Sequence, residues 1–410
     1  MHQCGFFVSN LEFKALAKCP SEKYSKNKNP SILNEKFCFL RLASKIYFGY
    51  SIWHTACSTK DRRLVFGRPF NKSEETKMFR SVAKLVLALA AVVPLASHAQ
   101  EAPSIKLGYA KCAHCTPMAL TPQHAANIKL EAINFNTGND VLTALVSKSI
   151  DVAQVTYLHY ATALDRGFDV VAISGQINGG SQILVSNELS IKENDWAGLK
   201  KVIAEFKAAG KPFRVAASRG NAQDIQMRGA FAKQGIDVNK DVQFINIPNP
   251  ADHVQALRRN EIELISAVDP FATQIRQLNA AKFFAFPYDQ AAGKLTNLIV
   301  TRSDVIASKP KAVEETVRSI VKVNALLIAD KTLFVDTIQK ITGLDKAIAA
   351  GAVTNLYPDT NMYRASAVSM GAMMRDLKYI QTDVSAAIDK NMDYRFLEAV
   401  TGKPKSALGY

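Results

Sequence analysis

The 410-residue sequence contains no GxxxxGK[ST] loop, no GxSxG elbow, no HExxH pair and no GxGxxG turn. These absences remove the ATPases that cradle phosphate in a P-loop, the elbow-type serine hydrolases, the zincins and the dinucleotide-binding oxidoreductases. Cysteine is scarce and unevenly placed: Cys4, Cys19, Cys38 and Cys57 fall in the first 77 residues, and Cys112 and Cys115 complete the six. The apolar run 85–95 falls well short of the ~20 residues that a bilayer span requires. Residues 100–410 carry no cluster of Lys and Arg interleaved with aromatics, so nucleic acid is a poor partner. With 48% hydrophobic and 21% charged residues, the composition is that of a globular chain. It excludes a fibre, a disordered tail and a polytopic membrane protein.

The charge identifies a joint. Of the formal +15, +10 lies in residues 1–99 and only +5 in the rest. Met78 to Lys84 is short and positive, Leu85 to Leu95 is apolar, and Ser97 and Ala99 place small residues ahead of Gln100. This is the pattern of a signal peptide over 78–99, cleaved after Ala99. No cysteine follows the cleavage point to take a lipid, so the product is expected to be exported and soluble in the periplasm. Residues 1–77 have no sustained period of 2 or 3.6. They read as an upstream extension from a start set too early, Met78 being the true start, with a disordered basic leader as the alternative. Neither reading gives them a part in function.

From Ser104 onward, strands and helices alternate. Ser104–Ala110, Lys129–Phe135, Asp151–Thr156 and Asp169–Ser174 read as strands, with helices at 139–147 and 158–166 between them. A second set follows, with strands at 182–186, 213–217, 242–247, 263–268 and 282–286 and helices at 196–209, 222–234, 251–259 and 271–278. Residues 295–301 read as a strand crossing back. Helices at 309–329, 331–340, 345–356, 361–378 and 384–389 then run to the C-terminus. The expectation is an α/β chain of two lobes, each a mostly parallel sheet flanked by helices: lobe I from 101–184 plus 293–410, lobe II from 185–292. The crossings near 180–187 and 290–298 would be hinges, with a ligand cleft at the carboxyl ends of the strands.

The segment from Phe135 to Ala153 resembles one found in the periplasmic solute-binding proteins of ABC importers, in the aliphatic sulfonate, nitrate and taurine class. That class also contains binders of thiamine-pyrimidine precursors. The stretch gives a strand, a glycine-containing turn, a helix and an ALxxGxID return, with Lys148-Ser149 where the family usually has its glycine. Ser218 to Gln223, Gly235 to Val242 and the Asp269-Pro270 turn resemble later family segments in the same order, and Arg302 to Asp304 resembles the return to the first lobe. The resemblance covers roughly 104–335. It implies a two-lobed periplasmic-binding-protein-like fold of type II, a small-molecule solute, and as partner an ABC permease with its cytoplasmic ATPase. The chain is expected to be a monomer that performs no catalysis and carries no cofactor or metal.

Candidate ligand contacts lie where strands meet helices. Thr137, Gly138 and Asn139, and Ser218, Arg219 and Asn221, sit at helix starts, where free N–H groups and the positive end of the helix dipole favour anionic or polar oxygens. Arg219 could clamp a carboxylate or sulfonate. Against this, Asn139 and Asn221 could be plain caps and Arg219 solvated. Tyr157 follows the third strand and would line the cleft or fill the core. Gln176 and Asn178 follow the fourth strand, and Asp269 either holds a ligand donor or starts its turn.

Lys111, Cys112 and Cys115 follow the first strand, where this architecture places a ligand loop. A local Cys112–Cys115 disulfide is the leading reading in an exported chain. Two alternatives stay open: a soft metal held by Cys112, His114 and Cys115 with His124 or His159, and a nucleophilic Cys115 with a histidine base. The expected function is capture of a small polar, anionic organic solute of the sulfonate, nitrate or taurine class. A thiamine-pyrimidine-precursor binder or related cleft enzyme, and a periplasmic metal or redox carrier using Cys112 and Cys115, are the alternatives.

Overall fold

The computed structural model describes residues 102–410. The 1–77 extension, the 78–99 export segment and its cleavage point lie outside them. Two sheets organise the described chain. The first has six strands in the order β11-β4-β10-β3-β1-β2: β1 Ser104–Ala110, β2 Lys129–Phe135, β3 Val152–Thr156, β4 Val171–Gly179, β10 Asn297–Thr301 and β11 Leu356–Asp359. The second has five in the order β7-β6-β8-β5-β9: β5 Ser181–Val185, β6 Arg214–Ala217, β7 Gln243–Asn246, β8 Leu264–Val268 and β9 Lys282–Ala285.

Both sheets are mixed, not mostly parallel. β1 runs parallel to β2 and β3, with Leu107 beside Ala132 and Val152, and β6 runs parallel to β7 and β8. The strands next to the crossings run the other way. β5 is antiparallel to β8 and β9, and β10 is antiparallel to β3 and β4. A βαβ crossover keeps strand direction, whereas a chain that passes straight from one sheet to the next enters it reversed. β4 and β5 are separated by Gly180 alone.

Helices cover both sheets: α1 Gly138–Val146, α2 Tyr157–Asp165, α3 Trp196–Ala208, α4 Ala222–Lys233, α5 His253–Arg258, α6 Phe271–Gln277, α7 Ser303–Ser308, α8 Pro310–Ala329, α9 Lys331–Thr342, α10 Lys346–Val353, α11 Arg364–Asp376, α12 Ser385–Asn391 and α13 Arg395–Thr401. A 3-10 helix, Thr116–His124, follows the cysteine loop. α8 buries Val313, Thr316, Val317, Ile320, Val323, Asn324 and Leu327. That spacing keeps one apolar face on the first sheet. In β1, β3 and β10 the apolar residues Ile105, Leu107, Val152, Leu298 and Ile299 are fully buried, as expected of central strands covered on both faces.

Two differences from the sequence reading bear on the site. β4 continues from Val171 to Gly179 rather than ending at Ser174. Gln176 and Asn178 are therefore ladder residues paired with Asp359 and Tyr357 of β11, not loop residues beyond a strand end. β11 itself falls at the end of the stretch expected as a helix over 345–356.

Lys148 takes the left-handed conformation at φ 63°. It occupies the place of the glycine in the ALxxGxID pattern and closes α1, with its N–H donating to the Leu145 carbonyl at 3.0 Å and that of Ser149 to Ala144 at 2.9 Å. The turn that glycine ordinarily makes is kept, on a residue with a Cβ.

Candidate functional site between the two sheets

A cavity of about 40 Å³ lies between the carboxyl ends of strands from both sheets. From the first sheet come the loop after β1 (Lys111, Cys112, His114, Cys115), the turn after β2 (Asn136, Thr137, Gly138), and Gln154, Thr156 and His159 at the β3–α2 junction. From the second come Asn221, Ala222 and Gln223 at the start of α4, together with Pro250 and Val268. An adjoining cleft of about 370 Å³ is lined by Thr137, Asn139, Ser218, Arg219 and Asn249.

Three helices of nine or more residues begin at the cavity: α1, α2 and α4. Their first N–H groups have no partner within the helix and carry partial positive charge. The N-termini of α1 and α2 are fixed by capping boxes. Thr137 Oγ1 accepts from the Asp140 N–H at 3.2 Å, and the Asp140 carboxylate accepts from the Thr137 N–H at 3.1 Å. Thr156 Oγ1 accepts from the His159 N–H at 3.2 Å. Asn221 supplies no cap bond; its amide instead donates to Ser218 Oγ at 2.7 Å.

A chain of bonds crosses the gap and sets the His159 tautomer. Asn139 Nδ2 donates to the Arg219 carbonyl at 3.1 Å, which leaves Oδ1 to accept from His159 Nε2 at 3.0 Å. With the proton on Nε2, Nδ1 is the acceptor for the Thr156 hydroxyl 2.9 Å away. Burial pushes the imidazole down to about 4, the Asn221 side chain opposing. Gly138 is what permits this approach. A Cβ there would lie 2.6 Å from His159 Cε1 and 3.1 Å from Asn221 Oδ1.

His114 closes the opposite wall. It is 2% exposed, its Nδ1 has no partner, and burial pushes it down to about 3, so it is neutral. Gly180, at φ 81°, accommodates it, since a Cβ there would sit 2.4 Å from Nδ1. Gln154, 2% exposed, also leaves its Oε1 unpartnered. Cys112 and Cys115 are joined in a disulfide with Cα atoms 5.0 Å apart.

Of the residues singled out in the sequence, Lys111, Cys112, Cys115, Thr137, Gly138 and Asn221 meet at the cavity. Asn139, Ser218 and Arg219 line the adjoining cleft. Arg219 is not in the cavity; its guanidinium lies over the Phe244 ring, 4.9 Å from its centre. Four others stand apart from the cavity lining. Tyr157 fills the core, with its hydroxyl accepting from the Tyr363 N–H at 3.1 Å. Gln176 and Asn178 accept from Asn297 Nδ2 at 3.0 Å and the Thr296 N–H at 2.8 Å. Asp269 is fully buried, and its carboxylate accepts from Gln182, Thr273 and Asn355 at 2.8–3.2 Å. It ties the crossing together rather than facing a solute, and burial raises its pKa above the usual carboxylate range against those three donors. Asn136, Gln154, Thr156 and Gln223 line the cavity without having been singled out. Gln154 was the readable one, a lone amide inside the apolar strand Val152–Thr156.

A second contact between the sheets lies behind α4. The Arg228 guanidinium sits between the rings of Phe244 and Tyr379, 4.6 and 5.4 Å from their centres. The Tyr379 hydroxyl donates to Asp224, which also pairs with Arg228 Nε at 2.8 Å.

Two mixed sheets joined by direct strand crossings, with a cavity at their facing carboxyl ends, define the periplasmic-binding-protein fold. The solved structures agree. The periplasmic nitrate-binding protein NrtA from Synechocystis PCC 6803 superposes with a TM-score of 0.62 at 16% identity, covering 75% of this chain and 91% of its own. The periplasmic aliphatic sulphonate binding protein SsuA from Escherichia coli does so at 0.58 and 16%, covering 71% and 92%. In sequence, the bicarbonate-binding protein CmpA of Synechococcus is 27% identical over 140 residues, which is 32% of this chain and 30% of that protein. The match thus spans under a third of that curated relative. Residues 98–336 match the NMT1-like family, and the chain belongs to it.

Proposed function

We propose that the chain is the solute-binding component of an ABC importer. It closes its two lobes, 101–184 plus 293–410 and 185–292, over one small polar solute in the periplasm and presents the closed form to a permease with its cytoplasmic ATPase. One observation carries this reading: a small cavity between two sheets, met by three helix N-termini and lined by the buried side chains of His114 and Gln154. Converging N–H groups suit oxygens bearing negative charge. No carboxylate lines the cavity, and Lys111 is its one cationic side chain. A small anion, or the anionic end of a larger solute, is therefore the favoured ligand. About 40 Å³ admits only a few non-hydrogen atoms. Binding does the work, because a solute touching both lobes stabilises the closed form over the open one, and no bond is made or broken.

The test is a thermal-shift screen with bicarbonate, nitrate, taurine, ethanesulfonate and an aminopyrimidine. A ligand held at 100 times its Kd raises stability by about 2.7 kcal/mol. A rise with one of them, without turnover of that compound, supports the reading. Turnover would favour a cleft enzyme, and no rise with any would contradict it.

A further inference from the structure

We propose that the Cys112–Cys115 pair is a redox-gated site for a thiophilic d10 cation, copper(I) or zinc(II), completed by His114. This goes beyond solute capture and does not depend on it. The ligand atoms of Cys112, His114 and Cys115 all lie within 4.8 Å of one another, and all three residues are buried. They line the same cavity, so the position opposite them is open to an incoming group. His114 makes the case distinct from a plain structural disulfide. Its ring is 2% exposed, yet Nδ1 has no hydrogen-bond partner. The ring brings one of its two nitrogens within 4.8 Å of both sulfurs, as the third vertex of a coordination triangle. Two thiolates and an imidazole are a donor set that soft cations select.

In the oxidised form the sulfurs are bonded to each other and bind no cation. A dithiol donor transfers two electrons and two protons, the sulfur–sulfur bond breaks to give two thiols, and the donor leaves as its own disulfide. A copper(I) or zinc(II) ion then displaces both thiol protons and binds two thiolates and the imidazole. The fourth position faces the cavity, where water or a cavity solute would complete a zinc site. Copper(I) is content with three ligands.

The test uses the whole chain, either oxidised or reduced anaerobically, mixed with zinc(II) alone or copper(I) alone and desalted, with metal counted per chain. The reduced protein is expected to retain one ion and the oxidised protein none, the two metals forming separate arms. His114→Gln is expected to weaken retention at least tenfold with the thermal transition of the metal-free protein unchanged. Because four further cysteines lie in residues 1–77, the double variant Cys112→Ser, Cys115→Ser is the control and is expected to retain no ion. Equal retention by the reduced and oxidised forms, retention by the double variant, or full affinity in His114→Gln would each overturn the proposal. Cobalt(II) provides a second readout, since its charge-transfer band appears only when thiolates bind and would be absent from the oxidised protein.

Discussion

The side-chain amide of Asn139, on α1 of the first sheet, donates to the main-chain carbonyl of Arg219, ahead of α4 on the second, at 3.1 Å. Asn139 also holds His159 at 3.0 Å, so one residue links closure to the tautomer of a cavity-lining imidazole. Asn139→Ala should weaken binding of the best solute by roughly tenfold, in line with about 1.4 kcal/mol for a lost cross-gap hydrogen bond and a freed ring. Calorimetric titration of variant and parent checks this. Equal affinity would mean that the bond is incidental to closure.

Gly138→Ala is expected to be more severe. The added methyl would stand 2.6 Å from His159 Cε1 inside the first lobe and 3.1 Å from Asn221 Oδ1 across the gap. Solute affinity should fall more than tenfold, and the thermal transition of the solute-free protein should fall with it, because the closer clash is present whether or not the lobes close. An unchanged thermal transition would mean that the His159 ring moves aside freely.

Arg219 tests the sequence expectation of an anion clamp. Its guanidinium rests on Phe244, outside the cavity lining. Arg219→Ala should leave affinity within about twofold, whereas Gln154→Ala, which removes an unpartnered buried amide from the cavity wall, should lower it at least tenfold. The reverse order would show that Arg219 swings inward.

Lys148 offers a stability test remote from the site. A residue with a Cβ at φ 63° carries a left-handed penalty of about 1–2 kcal/mol that glycine lacks. Lys148→Gly also removes an exposed ion pair with Asp304 at 3.1 Å, and such pairs contribute little. The variant should gain about 0.5–1 kcal/mol in urea unfolding; a loss would mean that the ion pair outweighs the backbone.

Three buried imidazoles set a pH dependence. His114 is lowered to about 3, and His159 and His253 to about 4, in each case by burial first. Below the unfolded value of about 6.5, unfolded chains take up protons that these folded imidazoles refuse. Their contribution is complete above pH 6.5 and is lost as the pH falls toward 4. Asp269, raised by burial, acts in the opposite sense. The thermal transition should fall between pH 7 and 5, less steeply in His253→Gln, which removes a group outside the cavity lining. A flat profile would mean the imidazoles reach water.

Much of the fold was legible because central strands such as Val152–Thr156 are apolar apart from Gln154 and the capping Thr156, and the helices after them carry clear caps. The sequence could not show where β4 ended. Its apolar run stops at Ser174, but pairing with β11, a short edge strand containing Pro358, carries it to Gly179. That extension moved Gln176 and Asn178 from expected contacts into the ladder. Asp269 and Tyr157, each left with two readings by the sequence, stand outside the cavity lining because their buried partners Asn355 and Tyr363 lie 86 and 206 residues further along. Helix starts were the readable part of the site, since Thr137, Gly138 and Asn221 mark themselves by local chemistry.

The central claim, closure of two lobes on a dissolved solute, is tested most directly by small-angle X-ray scattering of the purified chain. Measurements would be made alone and with saturating bicarbonate, nitrate, taurine or ethanesulfonate. The account predicts a smaller radius of gyration with at least one of them, reversed on dialysis and diminished in Gly138→Ala. An identical radius in every sample, with no bound solute detectable after desalting, would contradict it.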